Sequence, residues 1–568
     1  MLSRNDFRTF VTRSCARACL AASIAVTAAC GAVAPTGPPG DALALIESQG
    51  LADRTRTLAS DEFEGRGPAT AGERRTLDFL IAELEALGLQ PGAGDSWLQP
   101  VPLVSITADP ALSLQTDGAS GRSEFAYGDD FMAWTKRVID RSRIEDSEIV
   151  FVGYGVVAPE YGWDDYSGFD VEGKTVVMLV NDPGYATDDP ELFNGRSMTY
   201  YGRWTYKYEE AARQGAAAAF VIHDTEPAGY PWDVVRSSWS GAQFGLVAED
   251  ANLSRLAVEG WLTNATARAL FEAAGLDLDA LTATAAGRGF EAVPLDRTAT
   301  LELRNRVERS VSNNVVAVLR GSERPDEYVT YMAHWDHLGK DETLEGDQIY
   351  NGALDNATGT AGLLEIAEAF ASLETPPARS VVFLAVTAEE QGLLGSAYFA
   401  ENPTQPLDRT VAVINMDGLN TAGPTNDITV VGLGNSELDD YIVEAAAAHA
   451  RVVLPDPEPE KGFFYRSDHF NFSRHGVPAL YTDAGIDHVE RGEGYGRRLR
   501  DEYTALRYHK PSDEFDEEWD LRGAVDDLRL LFEVGYRLAQ ESSWPNWREG
   551  NEFRLRRDEM MDVRGTGN

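Results

Sequence analysis

Three short apolar runs each lead into a side chain that binds metal ions well. Tyr331-Met332-Ala333 leads into His334, the run 381–386 into Glu389-Glu390, and Val411-Ala412-Val413-Ile414 into Asp417. Continuous apolar runs of this length read as strands buried on both faces, as in parallel sheets. In an open α/β sheet, ligands collect beyond the carboxyl ends of such strands. Residues far apart in the chain then meet at one edge. With Asp355 and His509 added, what meets is two imidazoles and several carboxylates.

Around these runs, strands and helices alternate. Strands are expected at 314–319, 327–334, 380–387, 428–431 and 479–482, and helices at 360–373, 438–450 and 521–538. That order predicts a mixed α/β fold, with a mostly parallel central sheet flanked by helices. Helical periodicity also runs through 42–88, broken by the turn-rich loop 60–67. Between 100 and 300 the texture changes to short β-like runs (148–152, 174–180, 217–222) with one helix at 208–214. The expected division is an export signal over 1–30 and a flexible tether over 31–40. The main domain then takes 41–105 and 301–545, a β-rich insert with flanking strands takes 106–300, and 546–568 is a polar tail.

The net charge is −42 over 568 residues. A surface this acidic repels phosphate backbones, so no nucleic-acid partner is expected. All three cysteines lie in the first thirty residues, so no disulfide framework holds the fold. Arg4, Arg8, Arg13 and Arg17 precede a small apolar stretch, 18–29, that is too short to span a bilayer. Thr27-Ala28-Ala29-Cys30-Gly31 resembles a bacterial lipoprotein cleavage box, although Thr27 departs from the usual Leu or Val. The alternative is ordinary cleavage near Ala28-Ala29. Either route predicts an exported protein, periplasmic, anchored to the outer membrane or secreted. Its only expected membrane contact is a lipid on Cys30. The sequence leaves the oligomeric state open.

Two imidazoles and several carboxylates without cysteine form an oxygen and nitrogen ligand set. It suits zinc first, with cobalt or manganese as substitutes. Asp355 as a bridge, with His334, Asp417, Glu390 and His509 as terminal ligands, would hold two Zn2+ per chain. Two such ions ~3.5–4 Å apart share one water and lower its pKa. A neighbouring carboxylate must take its proton, and Glu389 is placed for that. Adjacent residues on a strand point to opposite faces, so Glu389 and Glu390 must sit in the turn after Thr387. Asp336 is expected to fix the ring of His334 or of a neighbour, and Asp513 that of His509. Tyr508 is a candidate donor to a developing oxyanion. Other residues compete for these places: His337 and Asp336 at the first ligand, and His469, His475 and His488 at the last. Each element alone is ordinary, since Asp-Asn is a common turn and Glu-Glu a common solvated end. The joint order carries the argument.

The segments 333–339 (AHWDHLG), 352–359 (GALDNATG), 388–396 (AEEQGLLGS), Asn415-Met416-Asp417, Ser467-Asp468-His469 and Tyr508-His509-Lys510-Pro511 occur in this order. Together they resemble the co-catalytic di-zinc aminopeptidase family (clan MH), which includes glutamate carboxypeptidase-like enzymes. The resemblance implies that His334 and Asp417 bind one zinc, Glu390 and His509 the other, and that Asp355 bridges them. It further implies Glu389 as general base and Tyr508 as oxyanion-stabilising residue. Asp468 and His469 would belong to a supporting segment that lines the cleft. Leu354 stands where many members have a second aspartate and Lys510 where threonine is common; neither removes a ligand. The segments 152–155, 173–180 and 211–222 resemble a protease-associated domain, which in this family is often inserted and covers or restricts the cleft.

The expected activity is therefore that of an exported zinc aminopeptidase acting on peptides. The alternatives are a carboxypeptidase or dipeptidase of the same fold, a one-zinc glutaminyl cyclase, and a non-catalytic binding protein. Residues 510–568 leave little room for the large helical domain of glutamate carboxypeptidase-like proteins, and five ligands with Glu389 argue against the last two. The Gly-rich, charged stretch 485–500 is expected as a loop, either a lid on the cleft or simply solvated.

Overall fold

The computed structural model describes residues 37–109 and 112–566. The export signal, Cys30 and residues 31–36 of the tether lie outside the described residues. Arg324–His334 is the central strand of the main sheet. It runs parallel to Arg379–Val386 on one side and to Thr410–Asn415 on the other. Ala479–Asp483 continues parallel beyond Thr410–Asn415, and Asp427–Val430 follows antiparallel, with Val452–Pro455 at the edge. On the opposite side, the last residues of the long strand Val293–Leu319 pair antiparallel with Arg379–Val386, and Leu98–Ala108 pairs with that long strand.

The apolar runs are unbroken because both faces are covered. Side chains alternate between two cores, as pleated strands require. Tyr331, Ala333, Phe383 and Ala385 face a core completed by the helices Ser48–Leu58, Thr358–Ala371 and Arg522–Gln540. Met332, Leu384 and Val386 face the other core, with Phe399 and Phe472. The helix Arg522–Gln540 packs tightly on the sheet at Gly535. There the Tyr331 hydroxyl donates to the Leu531 carbonyl at 2.8 Å, and a Cβ on residue 535 would lie 1.8 Å from that hydroxyl oxygen. Gly535→Ala is expected to destabilise the protein by about 1–3 kcal/mol through overpacking, although alanine is the better helix former. A denaturant midpoint that falls with m unchanged is the expected readout; a raised midpoint would refute the packing argument.

Residues 113–303 build a second sheet on the first half of the long strand Val293–Leu319. Arg141–Phe151, Thr175–Leu179, Ala218–His223 and Val258–Thr263 pair parallel in that order. Ser113–Gly118 and Arg141–Phe151 pair antiparallel with the long strand. This sheet has apolar cores of its own, one around Phe151, Phe220 and Phe271 and one around Trp134, Met178 and Trp261. The region holds more helix than the sequence reading allowed. Besides Trp204–Arg213 there are Asn264–Ala273 and Leu278–Ala285, short Ala- and Thr-rich helices whose signal lies in their caps. The Thr263 side chain accepts from Thr266 N, and Asp277 accepts from Asp279 N and Ala280 N.

Two expectations need correction. The stretch 546–568 is not a loose polar tail over its described residues. Trp547 is fully buried, Phe553 nearly so, and the helix Arg554–Thr566 follows. Buried Arg557 donates to the Thr410 and Val411 carbonyls. Two aromatic anchors in a charged segment give no periodicity to read. The stretch 485–500 is also only half a loop, because the helix Glu493–Leu506 takes the rest. Its first half is pinned by the Asp427 carboxylate, which accepts from Ile486 N at 3.1 Å and Asp487 N at 2.9 Å.

Candidate metal centre

The parallel strands deliver their carboxyl ends to one edge. His334 is the last residue of the central strand. Its Nδ1 lies 3.2 Å from the Asp336 backbone carbonyl, an acceptor that keeps a proton on Nδ1 and turns Nε2 inward. Nε2 is 3.2 Å from Asp417 Oδ1 and 3.4 Å from Asp355 Oδ1. Asp417 follows the next strand, Thr410–Asn415, and its Oδ2 accepts from the Ser467 hydroxyl at 2.6 Å. Ser467 in turn accepts from Asn415 Nδ2 at 2.7 Å.

Asp355 lies in the irregular turn Ala353–Ala357 ahead of the helix Thr358–Ala371. Asn356 ties this turn to the Asp417 loop by donating to the Met416 carbonyl and accepting from Gly418 N, both at 3.0 Å. A Cβ on Gly359 would lie 2.1 Å from Asn356 Oδ1, so the tie requires glycine there. On the far side of Asp355, Oδ2 is 3.3 Å from His509 Nε2. The same nitrogen is 3.0 Å from Glu390 Oε2. Glu390 Oε1 meets His337 Nδ1 at 2.5 Å.

All five expected ligands are thus brought together, with Asp355 between two clusters. In each of His334, Asp355, Asp417 and His337, Asp355, Glu390 the ligand atoms lie within 4.8 Å of one another. One placement differs from expectation. His337 belongs with Glu390, not with the first ligand, so two imidazoles serve the second cluster. The turn after the strand, not the spacing, decides which way His337 faces. The remaining competitors stay out. His469 packs against Phe464 and Tyr481, His475 Nδ1 meets the Asn471 carbonyl, and His488 Nδ1 accepts from Glu490 N and Arg491 N.

Glu389 sits in the turn beyond Arg379–Val386, as expected, and its backbone N donates to Asp336 Oδ1 at 3.1 Å. The Asp336 carboxylate therefore holds the Glu389 turn, while its carbonyl, not its carboxylate, orients His334. Asp513 also differs from expectation. Its carboxylate accepts from Leu354 N at 3.1 Å, Asp355 N at 3.2 Å and the Tyr503 hydroxyl at 3.1 Å, so it braces the Asp355 turn instead of His509. Tyr508 is half-exposed and stacks on His509 with ring centroids 3.8 Å apart. Asp468 and His469 do not line an open cleft, since both are fully buried. Asp468 Oδ1 accepts from the Ser396 hydroxyl at 2.6 Å.

Sequence reasoning missed Arg66. Fully buried, it donates to the carbonyls of Trp335 (2.8 Å), Leu58 (2.8 Å), Asn351 (2.6 Å) and Gly352 (2.7 Å). It thereby clamps the turn after His334 to the turn before Asp355. Its only sequence trace is the Gly65-Arg66-Gly67 loop, where a Cβ on Gly65 would lie 2.3 Å from the Gly339 carbonyl oxygen.

The charges explain why this edge suits cations. Burial raises the Glu389 carboxyl well above its ordinary range, and Asp417 and Glu390 add to that. Burial opposes protonation of His334, yet Glu389 and Asp417 hold its pKa well above the usual value. Glu390 and Asp355 do the same for His509. Imidazole protons thus balance crowded carboxylates, and a divalent cation at either cluster would satisfy the same oxygens and the inward-facing Nε2 atoms. The oxygen and nitrogen donors fit zinc-class ions.

Residues 314–532 match Peptidase family M28, a span that includes every residue of the two clusters. The chain is 37% identical over 139 residues to the Aminopeptidase NAALADL1 of Mus musculus, covering 23% of this chain and 17% of that protein. It is 29% identical over 229 residues to a probable zinc metalloprotease of Pyricularia oryzae, covering 38% of this chain and 44% of the relative. A Glutamate carboxypeptidase 2 homolog of Caenorhabditis briggsae is 33% identical over 163 residues, covering 28% and 18%. The matches therefore span less than half of these relatives. Among solved structures, the aminopeptidase from Aneurinibacillus sp. strain AM-1 aligns over 88% of this chain and 96% of its own, at 18% identity and a TM-score of 0.49. The segment that carries the clusters is thus similar to peptidases of family M28.

Proposed function

We propose that the chain is an exported zinc-dependent aminopeptidase that hydrolyses N-terminal residues from peptides. The observation that carries this reading is the convergence of His334, Asp355, Glu390, Asp417 and His509 on one sheet edge, with Glu389 beside them. His334, Asp355 and Asp417 would hold one ion, and Asp355, Glu390 and His509 the other, with His337 on Glu390. Two zinc ions, when bound, supply the Lewis acidity that makes water a nucleophile near neutral pH. The side chains do the rest. The Glu389 carboxylate takes a proton from the attacking water and returns it to the departing amine nitrogen. The Tyr508 hydroxyl donates to the carbonyl oxygen as charge develops there. Ser467 and Asp513 keep Asp417 and the Asp355 turn from rotating away.

The basic start, short apolar stretch and Cys30 box support export, with a lipid anchor on Cys30. The second sheet is read as a protease-associated insert that restricts access to the cleft. A carboxypeptidase or dipeptidase is the second reading, favoured by the relative named Glutamate carboxypeptidase 2 homolog. One comparison separates the two. A peptide with a free N-terminus is expected to be cleaved, and its N-acetylated form to resist. Equal cleavage of both would sink the aminopeptidase reading and leave the carboxypeptidase one standing.

A further inference from the structure

The turn that carries Glu389 holds a backbone that side-chain-bearing residues rarely adopt. Ala388 has φ 53° and Leu393 φ 60°, both in the left-handed region and neither a glycine. Such a conformation persists only where its surroundings over-determine it. Part of that support is polar and comes from the main sheet. Thr387 N donates to Asn314 Oδ1 at 3.0 Å, and Asn314 Nδ2 donates to the Gly395 carbonyl at 2.9 Å. Glu389 N donates to Asp336 Oδ1 at 3.1 Å. These bonds tie the backbone at both ends of the turn. The Ala388 side chain, which is fully buried, is held by packing alone.

That packing comes in part from the region of the second sheet. The strand Ala242–Leu246 lies within that region, yet it pairs antiparallel with Leu98–Ala108 of the main sheet. Phe244 stands opposite Ser105 and Leu246 opposite Leu103. Residues two apart on a strand share a face, so Phe244 and Leu246 act together. Both pack on the buried cluster Val101, Leu103 and Ala388, beside Leu394 and Tyr398. The last two belong to the helix Leu394–Glu401, which follows the turn. The other end of this strap is tied to the second sheet. Trp239 stacks on the buried Trp134 ring with centroids 3.8 Å apart and meets Trp204 edge-on at 5.0 Å. The strand Phe131–Trp134 pairs in turn with Val258–Thr263. One short segment therefore joins the core of the second sheet to the residue before Glu389.

We propose that Phe244, supported by Leu246, is a positioning residue for the general base. It holds the Ala388 turn in its left-handed form, so that the Glu389 carboxylate faces the metal clusters. The inference rests on the peptidase reading with Glu389 as base, and it gives the second sheet a part in the reaction besides covering the cleft.

The test measures kcat, KM and bound zinc of the full-length protein on a peptide with a free N-terminus. Phe244→Ala is expected to lower kcat by about 10- to 100-fold, the cost of displacing a reacting group by ~1 Å, with KM and bound zinc unchanged. In the Glu389→Gln background the same truncation is expected to cost nothing further, because the group it positions is gone. A merely structural role would show its loss in both backgrounds. Phe244→Leu keeps an apolar side chain and is expected to recover most of the rate. Leu246→Ala, on the same face of the strand, repeats the test where Phe244→Ala does not fold. Unchanged kcat in the truncated proteins, an equal loss in the Glu389→Gln background, or loss of zinc together with rate would overturn the proposal. If the wild type cleaves no peptide, the peptidase reading fails by itself, and amide hydrogen exchange then decides whether Phe244 holds the turn. Faster exchange over 387–395 in Phe244→Ala, with the strand 379–386 unchanged, supports it. Exchange that stays the same, or rises equally along both segments, refutes it.

Discussion

Glu389→Gln is expected to lower kcat by about 10²–10⁴-fold while the protein keeps its metal and its fold. Glutamine has the shape of glutamate but accepts no proton near neutral pH, so the substitution removes one chemical ability and little else. The backbone bond from Glu389 N to Asp336 Oδ1, at 3.1 Å, does not involve the side chain and survives. Neither does the change touch Glu390, whose oxygens are engaged by His337 and His509 at 2.5 and 3.0 Å. KM is expected to move little, because the lost interaction acts in the transition state. Glu390→Gln is the control, and it is expected to lose metal together with activity. Loss of metal in the Glu389 variant instead would mean that base and ligand have been exchanged.

Asp355→Ala is expected to abolish activity and to weaken both ion sites at once. Asp355 presents Oδ1 to His334 Nε2 at 3.4 Å and Oδ2 to His509 Nε2 at 3.3 Å. No other side chain reaches both imidazoles through separate oxygens among the described residues. Asp417→Ala, by contrast, removes a carboxylate that belongs to the first cluster alone, so one ion per chain should remain. Because ions that bind only the folded state stabilise it by mass action, zinc should raise the melting temperature of the wild type more than that of Asp417→Ala. It should raise that of Asp355→Ala least. Equal zinc-induced shifts in all three proteins would contradict a shared bridge.

The strands, and the meeting of polar side chains at their ends, were legible for one reason. Strands covered on both faces are written as unbroken apolar runs, and their carboxyl ends fall where the polar residues begin. What lay beyond the strands was harder. The turn after His334 decides that His337 faces Glu390, and spacing alone carries no such information. Asp336 and Asp513 were expected to orient imidazoles, but their carboxylates bond backbone N–H groups of the Glu389 and Asp355 turns, because irregular loops leave such donors to be satisfied. Ser467-Asp468-His469 reads as a cleft segment, yet only Ser467 reaches a cluster and the other two are buried behind it. Arg66 left a single mark, a glycine-flanked arginine in a turn-rich loop. Trp547 and Phe553 anchor a segment too charged to look folded.

Asp355 is proposed to join two ion sites through its two oxygens. Zinc titration of chelator-stripped, full-length protein, read by bound metal per chain, tests it most directly. About two zinc ions per chain are expected, with activity returning only as the second site fills and both ions lost in Asp355→Ala. Full activity at one ion per chain, or two ions retained without Asp355, would contradict it.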